Sequence, residues 1–179
     1  MLQRHFYTAG LAVYIALYVH MTVEEYRSYY IQFLVTIIGP SVNREVHNEP
    51  ALASDSALQA DLENRKTGLM VLSLVSLIEA NFLSKQDMRA LRSFTAPPTP
   101  LPASVKLDHL AGCIYLRDCV AHNPNGALLP PGQNTTAFIA AVAGQTFPWA
   151  AIQSQAISIS PQVTHELHLN VLRFFGEHV

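Results

Sequence analysis

The chain has 179 residues, enough for one well-buried domain and too few for two ordinary ones. Half of the residues are apolar and 13% are charged, so part of the surface is expected to face a partner or a second copy. A formal net charge of −2 and a pI near 6.4 exclude the basic footprint of a protein that grips long nucleic acid.

From Phe6 to Val23 there is no Asp, Glu, Lys or Arg, a stretch at the lower length limit of a membrane span. Thr8, Gly10, His20, Thr22 and three tyrosines dilute it, and no A-x-A cleavage site follows. It reads as a buried core or interface helix, with no membrane partner. Thr22 and Glu25 form a capping box, with Met21 placed to pack on Tyr26. One helix therefore ends near His20 and the next runs to about Ile38, where Gly39-Pro40 stops it. Ser41 to Asp55 reads as a polar loop. Ser56 begins a long helix reaching Leu83, with Leu72, Val75, Ile78 and Phe82 on its buried face and Glu79 inside that stripe.

Ser84 and Asp87 cap a short helix to about Phe94. The prolines at 97, 98, 100 and 102 then favour an extended, polyproline-like connector. With Ser104 as N-cap, Leu110, Cys113, Ile114, Arg117, Val120 and Ala121 follow the spacing of one buried helical stripe, and Tyr115, Asp118, Cys119 and His122 occupy a neighbouring face. Pro124 and the turn pair Asn125-Gly126 end this helix near His122. Leu128 to Thr135 reads as a loop, Thr136 to Val142 as a short helix and Ala156 to Ser160 as a strand, while Pro161 opens a last helix through Glu177.

The chemistry concentrates at the end of the 104–122 helix. Asp118 and His122 are four apart, so the carboxylate can hold an imidazole nitrogen. Arg117 and His122 are five apart, about 140° around a continuing helix, and serve one phosphate only if the helix end bends or a second copy supplies half the site. The bare spacing recurs at Arg173 and His178, where Phe174 replaces the carboxylate, so context decides. Structure alone offers a competing account, in which Arg117 and Glu79 form a buried pair between core helices. Asn123 can contact phosphate or merely cap the helix. His165, Glu166 and His168 have the spacing of a metal pair without a third ligand, and read as a solvated face. Tyr14, Tyr18, Tyr26, Tyr29 and Tyr30 read as core packing rather than base stacking. Cys113 and Cys119, six apart on one helix, can neither bridge nor share a metal, which fits a reducing cytoplasm.

An apolar helix ending in RDCVAH, followed by Asn123 and a glycine-containing turn and preceded by a helix containing SLIEANFL, resembles the HEPN superfamily. Arg117, Asp118 and His122 fall on its R-[N/D/H]-x-x-x-H positions, and Val71 to Leu83 resembles its preceding helix. The resemblance implies an all-α fold, an antiparallel helical bundle forming a single domain over 1–179, here with Pro-rich loops and a short β element near 152–160. It further implies a cytoplasmic, metal-independent endoribonuclease of a toxin–antitoxin or defence system, needing no cofactor. In that reading the enzyme is a homodimer whose interface holds Arg117, Asp118 and His122 as catalytic residues. Asn123 touches substrate, and Glu79 orients Arg117 from behind. The implied partners are RNA and a cognate antitoxin or regulatory protein. DNA is not a substrate, because deoxyribose lacks the 2′-hydroxyl nucleophile. The alternative expectation is a non-catalytic HEPN-like module that binds nucleotide or RNA, or acts as a scaffold.

Overall fold

The computed structural model describes residues 21–32, 56–123 and 127–179. The expected helix ending near His20, the stop at Gly39-Pro40, the loop from Ser41 to Asp55 and the turn at Asn125-Gly126 lie outside the described residues. Six helices and one hairpin are seen: α1 (Val23–Gln32), α2 (Ser56–Phe82), α3 (Lys85–Arg92), α4 (Leu107–His122), α5 (Gln133–Ala143), β1 (Ala150–Gln153), β2 (Ala156–Ile159) and α6 (Gln162–Phe174). The fold is thus mostly helical, a bundle with a small two-stranded sheet.

Helix α2 is the central element, packed on both α4 and α6. Its first turns are polar and exposed, with surface pairs Arg65–Asp61 (2.7 Å) and Lys66–Glu63 (3.5 Å). From Thr67 to Ile78 most residues are buried, including Met70, Val71, Leu74, Val75, Leu77 and Ile78, while Leu69 is exposed and Leu72 and, further on, Phe82 are half-buried. The polar groups swept into this core find partners: Ser73 Oγ meets the Tyr29 hydroxyl at 2.9 Å, and Thr67 donates to the Glu63 carbonyl at 2.8 Å. Helix α1 docks as its sequence predicts. The Thr22 N–H donates to Glu25 (2.7 Å), the Glu25 N–H donates back to Thr22 Oγ1 (3.3 Å), and Met21 and Tyr26 are both buried.

Several boundaries differ from the sequence-based expectation. Helix α3 ends at Arg92 rather than Phe94, because Phe94 takes a left-handed φ of 54°. Helix α4 is capped at Lys106, not Ser104; the Val105 N–H turns back to the Pro102 carbonyl at 2.8 Å and buries the Val105 side chain. Thr135 lies inside α5 rather than in a loop, since the Tyr115 hydroxyl reaches from α4 to bond its Oγ1 at 3.0 Å. Helix α6 stops at Phe174, not Glu177. Gly176 (φ 86°) and the bonds from the Gly176 and Glu177 N–H groups to the Arg173 and Leu172 carbonyls form a Schellman cap there.

The hairpin pairs Ala150 with Ile159 and Gln153 with Ala156, around a two-residue turn in which Ser154 (φ 49°) and Gln155 (φ 69°) are both left-handed. Asn64 of α2 stitches it to the bundle, donating to the Ile157 carbonyl (3.1 Å) and accepting from the Ile159 N–H (2.6 Å). At the other end, Phe82 stacks on Phe174 at 5.3 Å. Helices α2 and α6 therefore run in the same direction, a departure from a strictly antiparallel bundle. It arises because α5 and the hairpin carry the chain back before α6 begins.

Candidate functional site

Helix α3 is the anchor of the site. Asp87 is fully buried, and its carboxylate accepts from the Ser84 N–H (2.8 Å) and hydroxyl (2.6 Å) and from the Thr99 N–H (2.8 Å) and hydroxyl (2.9 Å). The Ser84 hydroxyl and then the Thr99 N–H hold this carboxyl down to about 2. The same bonds tie the proline-rich connector to the start of α3, which packs on α4.

Against it stands the C-terminal half of α4. The Arg117 side chain is 12% exposed, and its Nη1 donates to Glu79 Oε2 of α2 at 2.7 Å. Its Nε lies 2.8 Å from Asp118 Oδ1, close enough for an ion pair but without hydrogen-bond alignment, and Nη2 is buried with no partner among the described residues. Asp118 in turn accepts from Arg92 Nε of α3 at 3.0 Å. Glu79, Arg117, Asp118 and Arg92 thus form one alternating chain of charge linking α2, α4 and α3. The expected pair between Arg117 and Glu79 of the two core helices is present, half-buried rather than fully buried.

Other expectations are corrected. Among the described residues no hydrogen bond joins Asp118 to His122, because both Asp118 oxygens face arginines. His122 is exposed, at the last position of α4. The helix runs unbroken to that residue, so Arg117 and His122 leave its axis about 140° apart and one copy does not bring them together. Val120 is half-buried and Ala121 exposed, whereas Tyr115 and Cys119 are buried; the stripe is rotated toward α5, where the Tyr115 ring stacks on Phe138 at 4.3 Å. Asn123 acts as the cap of α4: its N–H donates to the Cys119 carbonyl (2.7 Å) and its side chain to the Leu128 carbonyl (3.4 Å).

The sequence reading missed the surface beside this network. Lys85, Arg89 and Arg92 of α3, together with Glu79 and Asn134 of α5, line an open depression of about 340 Å³. Lys85 and Arg89 are exposed and form no ion pair among the described residues, and Arg92 is 41% exposed. The spacing was available in the sequence, three cations at i, i+4 and i+7 of one short helix, but only the fold sets them beside α4. A wider depression of about 460 Å³ lies at the opposite end of α4, near Lys106, Asp108 and His109, and contains none of the motif residues.

Of the three residues expected on a solvated face of α6, His165 is exposed, whereas Glu166 and His168 are not. Glu166 turns inward to accept from Arg173 (2.8 Å), and His168 Nδ1 meets the buried Tyr26 hydroxyl at 2.7 Å while its ring stacks on Tyr30 at 4.1 Å. Burial lowers the His168 pKa. Tyr26, Tyr29 and Tyr30 pack as expected; Tyr14 and Tyr18 lie outside the described residues. No group of three metal-ligating side chains occurs among the described residues. Both cysteines are buried free thiols, and burial pushes Cys119 up to about 11 and Cys113 higher still, which leaves them unreactive. No described helix is long and apolar enough to cross a membrane. Comparison with protein-family models, curated proteins and solved structures finds no match to this chain.

Proposed function

We propose that this protein is a HEPN-like, metal-independent endoribonuclease that works as a homodimer, with its site at Arg117, Asp118 and His122. The observation that supports it most is the arrangement at one end of the molecule. An exposed histidine terminates α4 one turn beyond Asp118, and the Arg117–Asp118–Arg92 network adjoins a depression where Lys85 and Arg89 have no ion-pair partner among the described residues. That local surplus answers the objection raised by the overall net charge of −2.

The chemistry follows from an accessible imidazole. His122 accepts the proton of a ribose 2′-hydroxyl, and the 2′-oxygen forms its bond to phosphorus as the bond to the 5′-oxygen breaks. The protonated histidine of the second copy gives its proton to the departing oxygen. The products are a 2′,3′-cyclic phosphate and a 5′-hydroxyl, with no metal in the balance. A twofold axis at the α4 ends supplies both histidines and brings one copy's cations toward the other's imidazole, which a single copy does not do.

The test is incubation of the full chain with labelled single-stranded RNA in excess chelator. Fragments ending in cyclic phosphate are expected, with a loss of about 10²–10⁴ in rate for His122→Ala. Absence of cleavage by the dimeric protein, or full activity in His122→Ala, overturns the reading. The closure of Arg117 on Glu79 favours the alternative of a binding module, which retains RNA without cutting it.

A further inference from the structure

We infer that the depression along α3 is a subsite for backbone phosphates of single-stranded RNA, held by Arg92, Arg89 and Lys85 rather than by Arg117. The inference rests on the ribonuclease reading for its choice of ligand, and on independent geometry for its residues.

Accessibility separates the arginines. A phosphate oxygen must come within about 2.7–2.9 Å of a guanidinium nitrogen. Arg117 commits Nη1 to Glu79, and its Nε and Nη2 have almost no accessible surface, so a phosphate does not reach them in this conformation. Arg92 commits only Nε, to Asp118, and its two terminal nitrogens form no other hydrogen bond among the described residues. The ion pair fixes the plane of the Arg92 fork and leaves its outer edge for bidentate binding. Arg117 is then a positioning residue, holding Asp118, which holds Arg92.

Charge points the same way. Three cations line the depression against one carboxylate, Glu79, and adding the Arg117–Asp118 pair does not change that balance. Like charges four apart on a helix repel, and neither Lys85 nor Arg89 has an acidic partner among the described residues to offset the cost. A polyanion laid along the row offsets it. The N-terminus of α5 faces the same hollow through Asn134; its cap residue Gly132 supplies no side-chain acceptor, so the first N–H groups add positive potential. The side-chain amide of Asn134 adds a neutral donor and acceptor to the lining, suited to a base or ribose edge. From Arg92 the track continues through Asp118 to His122, on one face of α4.

The experiment uses the full chain and a fluorescein-labelled, fully 2′-O-methylated RNA decamer, which lacks the attacking hydroxyl, so that binding is read apart from cleavage. Fluorescence anisotropy is expected to show saturable binding, with the double variant Lys85→Glu/Arg89→Glu raising Kd at least about tenfold. Its plot of log Kd against log salt should be flatter by about 1.4, at about 0.7 per phosphate neutralised on a single strand. Lys66→Glu, a reversal half as large as the double variant's and placed on the polar first turns of α2, should leave Kd within about twofold. No saturable binding, equal loss in Lys66→Glu, or an unchanged Kd in a double variant that keeps the wild-type thermal midpoint overturns the subsite. If ordinary RNA is left uncut while the double variant still loses binding, the cleavage reading fails and the subsite stands.

Discussion

Replacing Arg117 by Ala should cost stability as well as any activity. The Arg117 side chain is 12% exposed and that of Glu79 36%, so the pair lies between a surface bridge and a buried one. Surface bridges contribute about 0–1 kcal/mol, and stripping one partner from a buried pair costs about 3–5 kcal/mol; an intermediate loss of about 2 kcal/mol is expected here. For a chain of this size that is a fall of about 4–8 °C in thermal midpoint. Asp118 also loses a neighbour, though it keeps Arg92 at 3.0 Å, which limits further loss. The assay is thermal and urea unfolding followed by far-ultraviolet circular dichroism, on Arg117→Ala, Glu79→Ala and the double variant. The coupling energy should exceed about 0.5 kcal/mol in favour of the pair. A shift below about 1 °C with zero coupling refutes the reasoning, since Arg117 would then contribute nothing to folding and would be held in place at no benefit to stability.

Two further outcomes follow from the packing. A Cβ on Gly112 would lie 2.3 Å from the Phe147 ring, which is itself fully buried, so Gly112→Ala should destabilise by about 1–3 kcal/mol through overpacking; calorimetry reads it, and a wild-type midpoint contradicts it. His168 supplies the pH dependence. Burial lowers its folded pKa, so the unfolded chain takes up the proton first and stability falls as pH drops below the unfolded value of about 6.5. His168→Phe, which preserves the ring against Tyr30, should flatten the thermal midpoint between about pH 7 and pH 5 relative to wild type; an unchanged slope counts against it.

Local signals in the chain specified local structure. The Thr22–Glu25 and Ser84–Asp87 boxes, the long apolar helix from Ser56 and the alternation near Ala156 all appear where the residues place them, because capping, propensity and turn chemistry act within a few residues. The Arg117–Glu79 pair was also legible, since two charges in two apolar stripes must meet or be expelled. What neighbouring elements do to a side chain was not. Asp118 bonds Arg92 and not His122 because α3 packs on α4, and an arginine 26 positions away outcompetes an imidazole one turn along. Glu166 and His168 look inward because α1 and α4 cover α6. The cation row of α3 became a surface beside the motif only through packing between elements remote in sequence, since electrostatics depends on distance in space.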